Sequence, residues 1–226
     1  MPYGYRVFSD VKRPSKDLID AFAQFGSADI CDAMNKSSTM STHIRPAYPV
    51  EKPVVGPAIT VSVPTGSQQI RAIGMDHAQE GDVVVFNSLG NTEYAVIGGN
   101  FAQSLKSRGV NGVIVDGSYR DFNELKEMDM PVFSRGIATM GGPSSGPGEV
   151  NVPIACGSIV VNPGDIIVAD NDGIVVIPPA FAEEILERVR AIAAKNEADQ
   201  EKLLRGEVLN VDKAREDAAK AGCEFV

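Results

Sequence analysis

Between residues 81 and 136 the chain alternates two kinds of segment. GDVVVFNS, GVIVDGS and PVFSRG are short apolar runs, while FAQSLKSRG and RDFNELKEM have helical spacing. Valine- and isoleucine-rich runs of this length, bounded by glycine and polar residues, read as strands buried on both faces. A strand that returns through a helix to a neighbouring strand must be parallel to it. The stretch therefore predicts successive βαβ units and a largely parallel sheet covered on both sides.

The flanks add different pieces. SKDLIDAFAQF (15–25) places Leu18, Ile19, Phe22 and Phe25 on one helical face, with Gly26 ending the run. SADICDAM predicts a second short helix, and 39–53 is turn-rich. VVGPAITVSVP reads as a strand and SQQIRAIGMDHA as a helix. Beyond the glycine-rich GGPSSGPGEV, three short runs (SIVV, DIIVAD, GIVVIP) separated by NPGD and NDG predict antiparallel hairpins packed beside the α/β layer. Gly-Asp precedes both VVV and IIV, so one turn chemistry is used twice to open a strand. A long helix from Pro179 to about Arg205 carries Ile185, Leu186, Val189 and Ile192 on one face, and a charged, alanine-rich tail follows from Glu207. One domain over 1–226 is expected, with its core at about 25–180 and a helical extension at about 180–226.

Composition narrows the functional classes. A net charge of −9 with no compensating Lys/Arg run disfavours direct nucleic-acid binding. No apolar window is long enough to span a bilayer, and the first residues lack the apolar core of a secretory signal, so a cytoplasmic protein without membrane attachment is expected. The three cysteines have no CxxC spacing and are expected to be reduced thiols.

Two stretches carry candidate chemistry. In GVIVDGSYRDFNELKEM an apolar strand delivers Arg120 and Asp121 to its carboxyl end, where ligands of open α/β sheets collect. Arg120 offers a planar fork for a carboxylate, and Asp121 is a hard oxygen ligand suited to Mg²⁺ or Mn²⁺. A simpler reading competes: Asp121 with Glu124 three residues on has the pattern of a helix N-cap and its capping-box partner. In AVIGGNFAQSLKSRG, Gly98 and Gly99 before a helix allow backbone amides to approach an anion closely. They equally fit a tight turn capped by Asn100. If both stretches share one sheet edge, the amides of Gly98–Phe101 and Arg120 grip a carboxylate while Asp121 holds a cation against the neighbouring keto oxygen.

Twenty residues separate Gly99 from Arg120; Asp121 follows at once and Glu124 after two more, giving G-x20-R-D-x2-E. Together with SADICDAM, VVGPAITV, GDVVVFN, PVFSRG and PGDIIVADNDGIVVIP, this pattern resembles the 4-hydroxy-4-methyl-2-oxoglutarate aldolase family, whose members include the regulator of ribonuclease activity A. The likeness runs in order over roughly 25–180. It implies a swivelling β/β/α-type α/β domain with C-terminal helices, assembled as homotrimers or hexamers with the active site near a subunit interface. It also implies that Gly98, Gly99, Asn100 and Phe101 contact substrate mainly through backbone amides, that Arg120 binds substrate, and that Asp121 is the metal ligand. Family aldolases tend to carry an acidic residue where this chain has Gly99, and Glu124 is the candidate to supply that carboxylate from the other side.

The activity so implied is metal-dependent cleavage of a 4-hydroxy-2-oxo acid to pyruvate, with decarboxylation of oxaloacetate at the same site. A water backed by Glu124, or by a carboxylate of another subunit, is the candidate base. No lysine lies in an apolar strand core, which disfavours a Schiff-base route. Arg71 and Asp76 read as a solvated pair, with the alternative that Arg71 reaches the distal substrate carboxylate. The rival function is a non-catalytic protein that binds a ribonuclease.

Overall fold

The computed structural model describes residues 2–208 and 211–225; residues 1, 209, 210 and 226, which belong to the expected domain and its terminal extension, lie outside the described residues. In chain order the elements are α1 (Lys16–Phe22), α2 (Ser27–Ala33), β1 (Arg45–Pro46), β2 (Val54–Ser62), α3 (Gln68–His77), β3 (Val83–Asn87), β4 (Ala95–Ile97), α4 (Gly99–Ser107), β5 (Gly112–Tyr119), α5 (Phe122–Glu127) and β6 (Val132–Ile137). The short strands β7 (Glu149–Val150), β8 (Ile154–Cys156), β9 (Ile159–Val161), β10 (Ile166–Ala169) and β11 (Ile174–Ile177) follow, then α6 (Ala182–Leu204) and α7 (Asp212–Lys220). The chain divides into two units, Met1–Val189 and Arg190–Val226. All the strands lie in the first. The second consists of the later turns of α6 and of α7, which has no buried residue.

The main sheet runs β1-β6-β5-β3-β2-β10-β11. Its middle is parallel, β2 to β3, β3 to β5 and β5 to β6, as the alternation of strand and helix requires. β10 joins antiparallel to β2 and to β11, so the hairpin portion continues the same run of strands. β8 and β9 form a separate hairpin.

Strand side chains alternate between faces with period two, and the two faces have different partners. Ile59, Val61, Val84, Phe86, Val113, Val115 and Val132 pack with Ile70, Ala102, Leu105 and Leu125 of the helices. Val54, Ala58, Val83, Val85, Ile114 and Phe133 pack instead with Ile154, Val161, Ile167, Ile174 and Val176 of the hairpins. The result is helices on one face of the parallel strands and β-hairpins on the other, the expected β/β/α layering. β2 is buried from Val54 to Val61 because it lies between both portions of the sheet.

The repeated Gly-Asp turn is real. Gly81 and Gly164 both have positive φ, +87° and +86°, a region that glycine occupies without a Cβ penalty. The aspartate after each turns back to accept a backbone N–H three residues earlier, Gln79 to Asp82 at 2.8 Å and Asn162 to Asp165 at 2.7 Å. The copies differ in charge balance: Asp82 is held by both arms of Arg13 at 2.8 Å, whereas burial without a cation raises the Asp165 carboxyl above the usual aspartate range.

Two elements depart from expectation. The first helix ends at Phe22, short of Phe25. AVI before the glycine pair, which the sequence pattern assigns to no element, is the strand β4. It pairs parallel with the far end of β5, Ala95 opposite Ser118 and Ile97 opposite Tyr119.

The packing of β2 gives a direct stability test. A Cβ at Gly56 would lie 2.1 Å from the carbonyl oxygen of Gly81, a backbone atom that cannot swing aside, whereas nothing lies within 4 Å of a Cβ at Gly173. Gly56→Ala is expected to cost about 1–3 kcal/mol in urea denaturation while Gly173→Ala stays near wild type. Equal midpoints for the two variants would contradict this packing.

Candidate active site

β4 positions the site. β5 is flanked by β3 along residues 112–116 and by β4 beyond, so the chain leaving β4 passes beside the chain leaving β5. The Arg120 N–H donates to the carbonyl of Ile97 at 3.0 Å, which locks the two exits in register. Gly98–Gly99 and Arg120–Asp121 thus meet at the carboxyl edge of the sheet, the juxtaposition that the two sequence stretches required.

The glycines are needed for closeness. Gly98 is extended, φ −150°, so its conformation suits any residue. A Cβ there, however, would lie 2.6 Å from Asp121 Oδ2 and 3.0 Å from Arg120 Nε. A Cβ at Gly99 would lie 1.9 Å from Glu124 Oε2, so the Glu124 carboxylate fills the space that a side chain at position 99 would take. The helix α4 begins at Gly99 with Gly98 as its cap; Asn100 is inside the helix and does not cap it.

Asp121 sits at the N-cap position of α5 but makes no side-chain cap hydrogen bond. Its backbone is left-handed, φ 64° and ψ 45°, a region sparsely occupied by residues other than glycine, asparagine and aspartate. This turn aims the carboxylate back at α4, where Oδ2 accepts the Gly99 N–H at 2.8 Å, with Arg120 Nε 3.5 Å away. The capping-box reading of Asp121 and Glu124 therefore does not describe their side chains. The anion that α4 meets at its N-terminus is Asp121, and the amides of Asn100 and Phe101 remain among the first-turn N–H groups that helix geometry leaves without an intrahelical acceptor.

Arg120 and Asp121 line an open pocket of about 520 Å³ with Ile137, Ala138 and Thr139. Their side chains are 47% and 35% exposed. The floor under Arg120 is Gly141, where a Cβ would stand 3.1 Å from Nη1. Ile137 at the end of β6 and Met140 just beyond it, both large and apolar, are 59% and 61% exposed. Among the described residues no three His, Cys, Asp or Glu side chains gather as a metal-binding group. Asp121 and Glu124 nevertheless present hard oxygens on either side of the Gly98–Gly99 turn, and Mg²⁺ commonly takes one or two carboxylates while keeping waters. The donor set fits such an ion.

Residues 27–176 match the sequence profile of the family described as RraA-like, Aldolase/RraA. The chain belongs to the RraA-like family. A Halalkalibacterium halodurans relative provisionally named 4-hydroxy-4-methyl-2-oxoglutarate aldolase is 35% identical over 80% of this chain and 86% of its own length. An Arabidopsis thaliana relative with the same provisional name is 29% identical over 68% of this chain and 95% of its own. Among solved structures, the Streptomyces coelicolor protein RraAS2, described as an unusual member of the RNase ES inhibitor RraA protein family, aligns with a TM-score of 0.75. It is 26% identical over 88% of this chain and all of that one. The RraA-like fold accounts for the mixed sheet and the C-terminal helices.

The solvated Arg71–Asp76 pair expected from the sequence does not form. Asp76 pairs with Arg108 at 2.9 Å, and Arg71 turns inward, donating to the carbonyl of Val96 and stacking over the Phe101 ring. His43 is exposed and His77 contacts the Ile73 carbonyl of its own helix, so neither joins the site. No helix among the described residues is long and apolar enough to cross a membrane.

Asparagine tolerates left-handed backbone and its amide oxygen can still accept the Gly99 N–H. Asp121→Asn is accordingly expected to melt within about 2 °C of wild type, whereas Asp121→Val, β-branched in a left-handed position, is expected to lose about 1–3 kcal/mol. Thermal melts of the two variants check this, and equal losses would refute the geometry at position 121.

Proposed function

We propose that this chain is a divalent-metal-dependent carbon–carbon lyase. It cleaves 4-hydroxy-2-oxo acids such as 4-hydroxy-4-methyl-2-oxoglutarate to pyruvate and decarboxylates oxaloacetate at the same site. The observation that carries the proposal is the turn of Asp121 away from its own helix, which puts a carboxylate and the Arg120 guanidinium together at the sheet edge.

The residues divide the work. Arg120, with the amides of the Gly98–Phe101 turn, binds the carboxylate of the 2-oxo acid and fixes its plane. Asp121, with Glu124 beside it, holds Mg²⁺ or Mn²⁺, which when bound acts as a Lewis acid on the keto oxygen. In the retro-aldol direction the 4-hydroxyl proton passes to a water held by Glu124. The C3–C4 bond then breaks, C4 leaves as a carbonyl, and the electron pair stays on C3 as the enolate of pyruvate. With oxaloacetate the same bond breaks, C4 leaves as carbon dioxide, and the same enolate remains. Arg120 offsets the charge that develops next to the carboxylate in both cases. C3 takes up a proton to release pyruvate.

The exposed Ile137 and Met140 next to Arg120 support a trimer or hexamer in which a neighbouring copy covers the pocket. A cytoplasmic location and reduced cysteines belong to the same reading. A second reading, binding to a ribonuclease, draws on the description of the Streptomyces coelicolor relative and on the net charge of −9. Such binding makes no use of Asp121 turned toward α4.

Pyruvate release from oxaloacetate and from 4-hydroxy-4-methyl-2-oxoglutarate separates the readings. Added Mg²⁺ or Mn²⁺ is expected to support it and a chelator to abolish it. Asp121→Asn should remove most activity, and Arg120→Lys, which keeps the charge and loses the fork, should lower kcat/KM roughly ten- to a hundredfold. Wild-type rates in both variants would remove the chemistry from this site, and no pyruvate release from the wild-type protein would leave the ribonuclease-binding reading in its place.

A further inference from the structure

Arg71 is a half-buried cation without a carboxylate partner among the described residues. One Nη1–H donates to the Val96 carbonyl, and the guanidinium carbon lies 4.7 Å from the centroid of the Phe101 ring. A guanidinium has five N–H donors, so most of its hydrogen-bonding capacity meets no acceptor among the described residues. Burial, with the charge of Arg120 adding to it, lowers the Arg71 pKa from the usual arginine value. Arginines taken out of water are ordinarily paired with an acid; this one is instead placed within the field of a second arginine.

Its location gives the pairing a direction. Arg71 and Arg120 anchor to consecutive carbonyls of β4, the first by its side chain to Val96 and the second by its backbone N–H to Ile97. Phe101, which carries the Arg71 guanidinium on its face, belongs to the first turn of α4, the same turn that receives Asp121. Phe101 is held in turn by an edge contact with Phe86, ring centroids 6.1 Å apart. Both arginines are thus tied to the last residues of β4, and the charge of Arg120 acts on Arg71. The charges of Arg71, Arg120, Asp121 and Glu124 cancel. A divalent cation at Asp121 adds two positive charges, which a dianion balances and a monoanion does not.

Building on the lyase reading and its dicarboxylic substrates, we propose that Arg71 is the residue that receives the second carboxylate and thereby sets the preference over a monocarboxylic 2-oxo acid. Arg120 faces the carboxylate next to the keto group, and Arg71, stiffened by Phe101, faces the far end.

The test compares two non-cleaved ligands of equal carbon count, 2-oxoglutarate and 2-oxopentanoate, by calorimetric titration in the presence of Mg²⁺. Wild-type protein is expected to bind 2-oxoglutarate at least about tenfold more tightly, the value of one charge-assisted hydrogen bond. Arg71→Met should shrink that ratio toward one, and Arg71→Lys should keep part of it. Circular dichroism checks that each variant folds. No preference in the wild type overturns the proposal without needing any variant, as does failure to bind either ligand. An equal weakening of both ligands in Arg71→Met also overturns it, since that is what a prop for Phe101 would give. Oxaloacetate turnover is followed in parallel: a preserved preference without turnover would sink the lyase reading and leave the role of Arg71 standing.

Discussion

The hydrogen bond from the Gly99 N–H to Asp121 Oδ2, 2.8 Å long, joins the two halves of the site. It connects the N-terminus of α4 with the first residue before α5, two points that are distant in sequence and adjacent only because β4 lies along the end of β5. The bond is possible because two positions are glycine and a third accepts left-handed backbone. A side chain at Gly98 or Gly99 would collide with Asp121 or Glu124, and an Asp121 in the extended conformation usual for an N-cap would point its carboxylate at the amides of its own helix. The sheet supports this local geometry: β5 and β3 are buried on both faces, so the edge on which Arg120 and Asp121 stand is fixed by the hydrophobic core beneath it.

Electrostatics follow from that arrangement. The chain as a whole repels anions, with a net charge of −9, yet two arginines tied to the end of β4 act on one another there. One, Arg120, is open to the pocket; the other, Arg71, is drawn under Phe101. Partial burial weakens competition from water, so an anion bound between them interacts more strongly than it would at an exposed surface. In the proposed lyase this local inversion of charge is what brings an acidic protein and an acidic substrate together.

Much of this was legible in the sequence, because strand and helix periods between residues 81 and 136 are undisturbed and each strand is bounded by glycine or aspartate. The layering could also be read, since the style of the chain changes at GGPSSGPGEV. Three things were not. β4 is three residues long, too short for any periodicity to reveal, and its pairing with β5 is irregular, the register shifting between Ala95 and Ile97. The direction of the Asp121 side chain depends on a left-handed φ that the pattern R-D-x2-E does not encode, so local sequence favoured a helix cap as readily as a ligand. Arg71 and Asp76, read as a solvated pair, are five residues apart and do not share a helix face; Arg108 at the C-terminal end of α4 takes Asp76, and the chain brings Val96 and Phe101 to Arg71 from far along the sequence.

The central claim is that Asp121, turned from its helix, is the carboxylate that holds a divalent cation. Electron paramagnetic resonance of free Mn²⁺ measures this without any assumption about substrate, by titrating the ion into wild-type protein and Asp121→Asn. One Mn²⁺ bound per chain is expected in the wild type, with an affinity at least about tenfold weaker in the folded variant, the loss expected for a charged oxygen ligand. Equal Mn²⁺ affinity in the two proteins, or no binding to either, would contradict this role of Asp121.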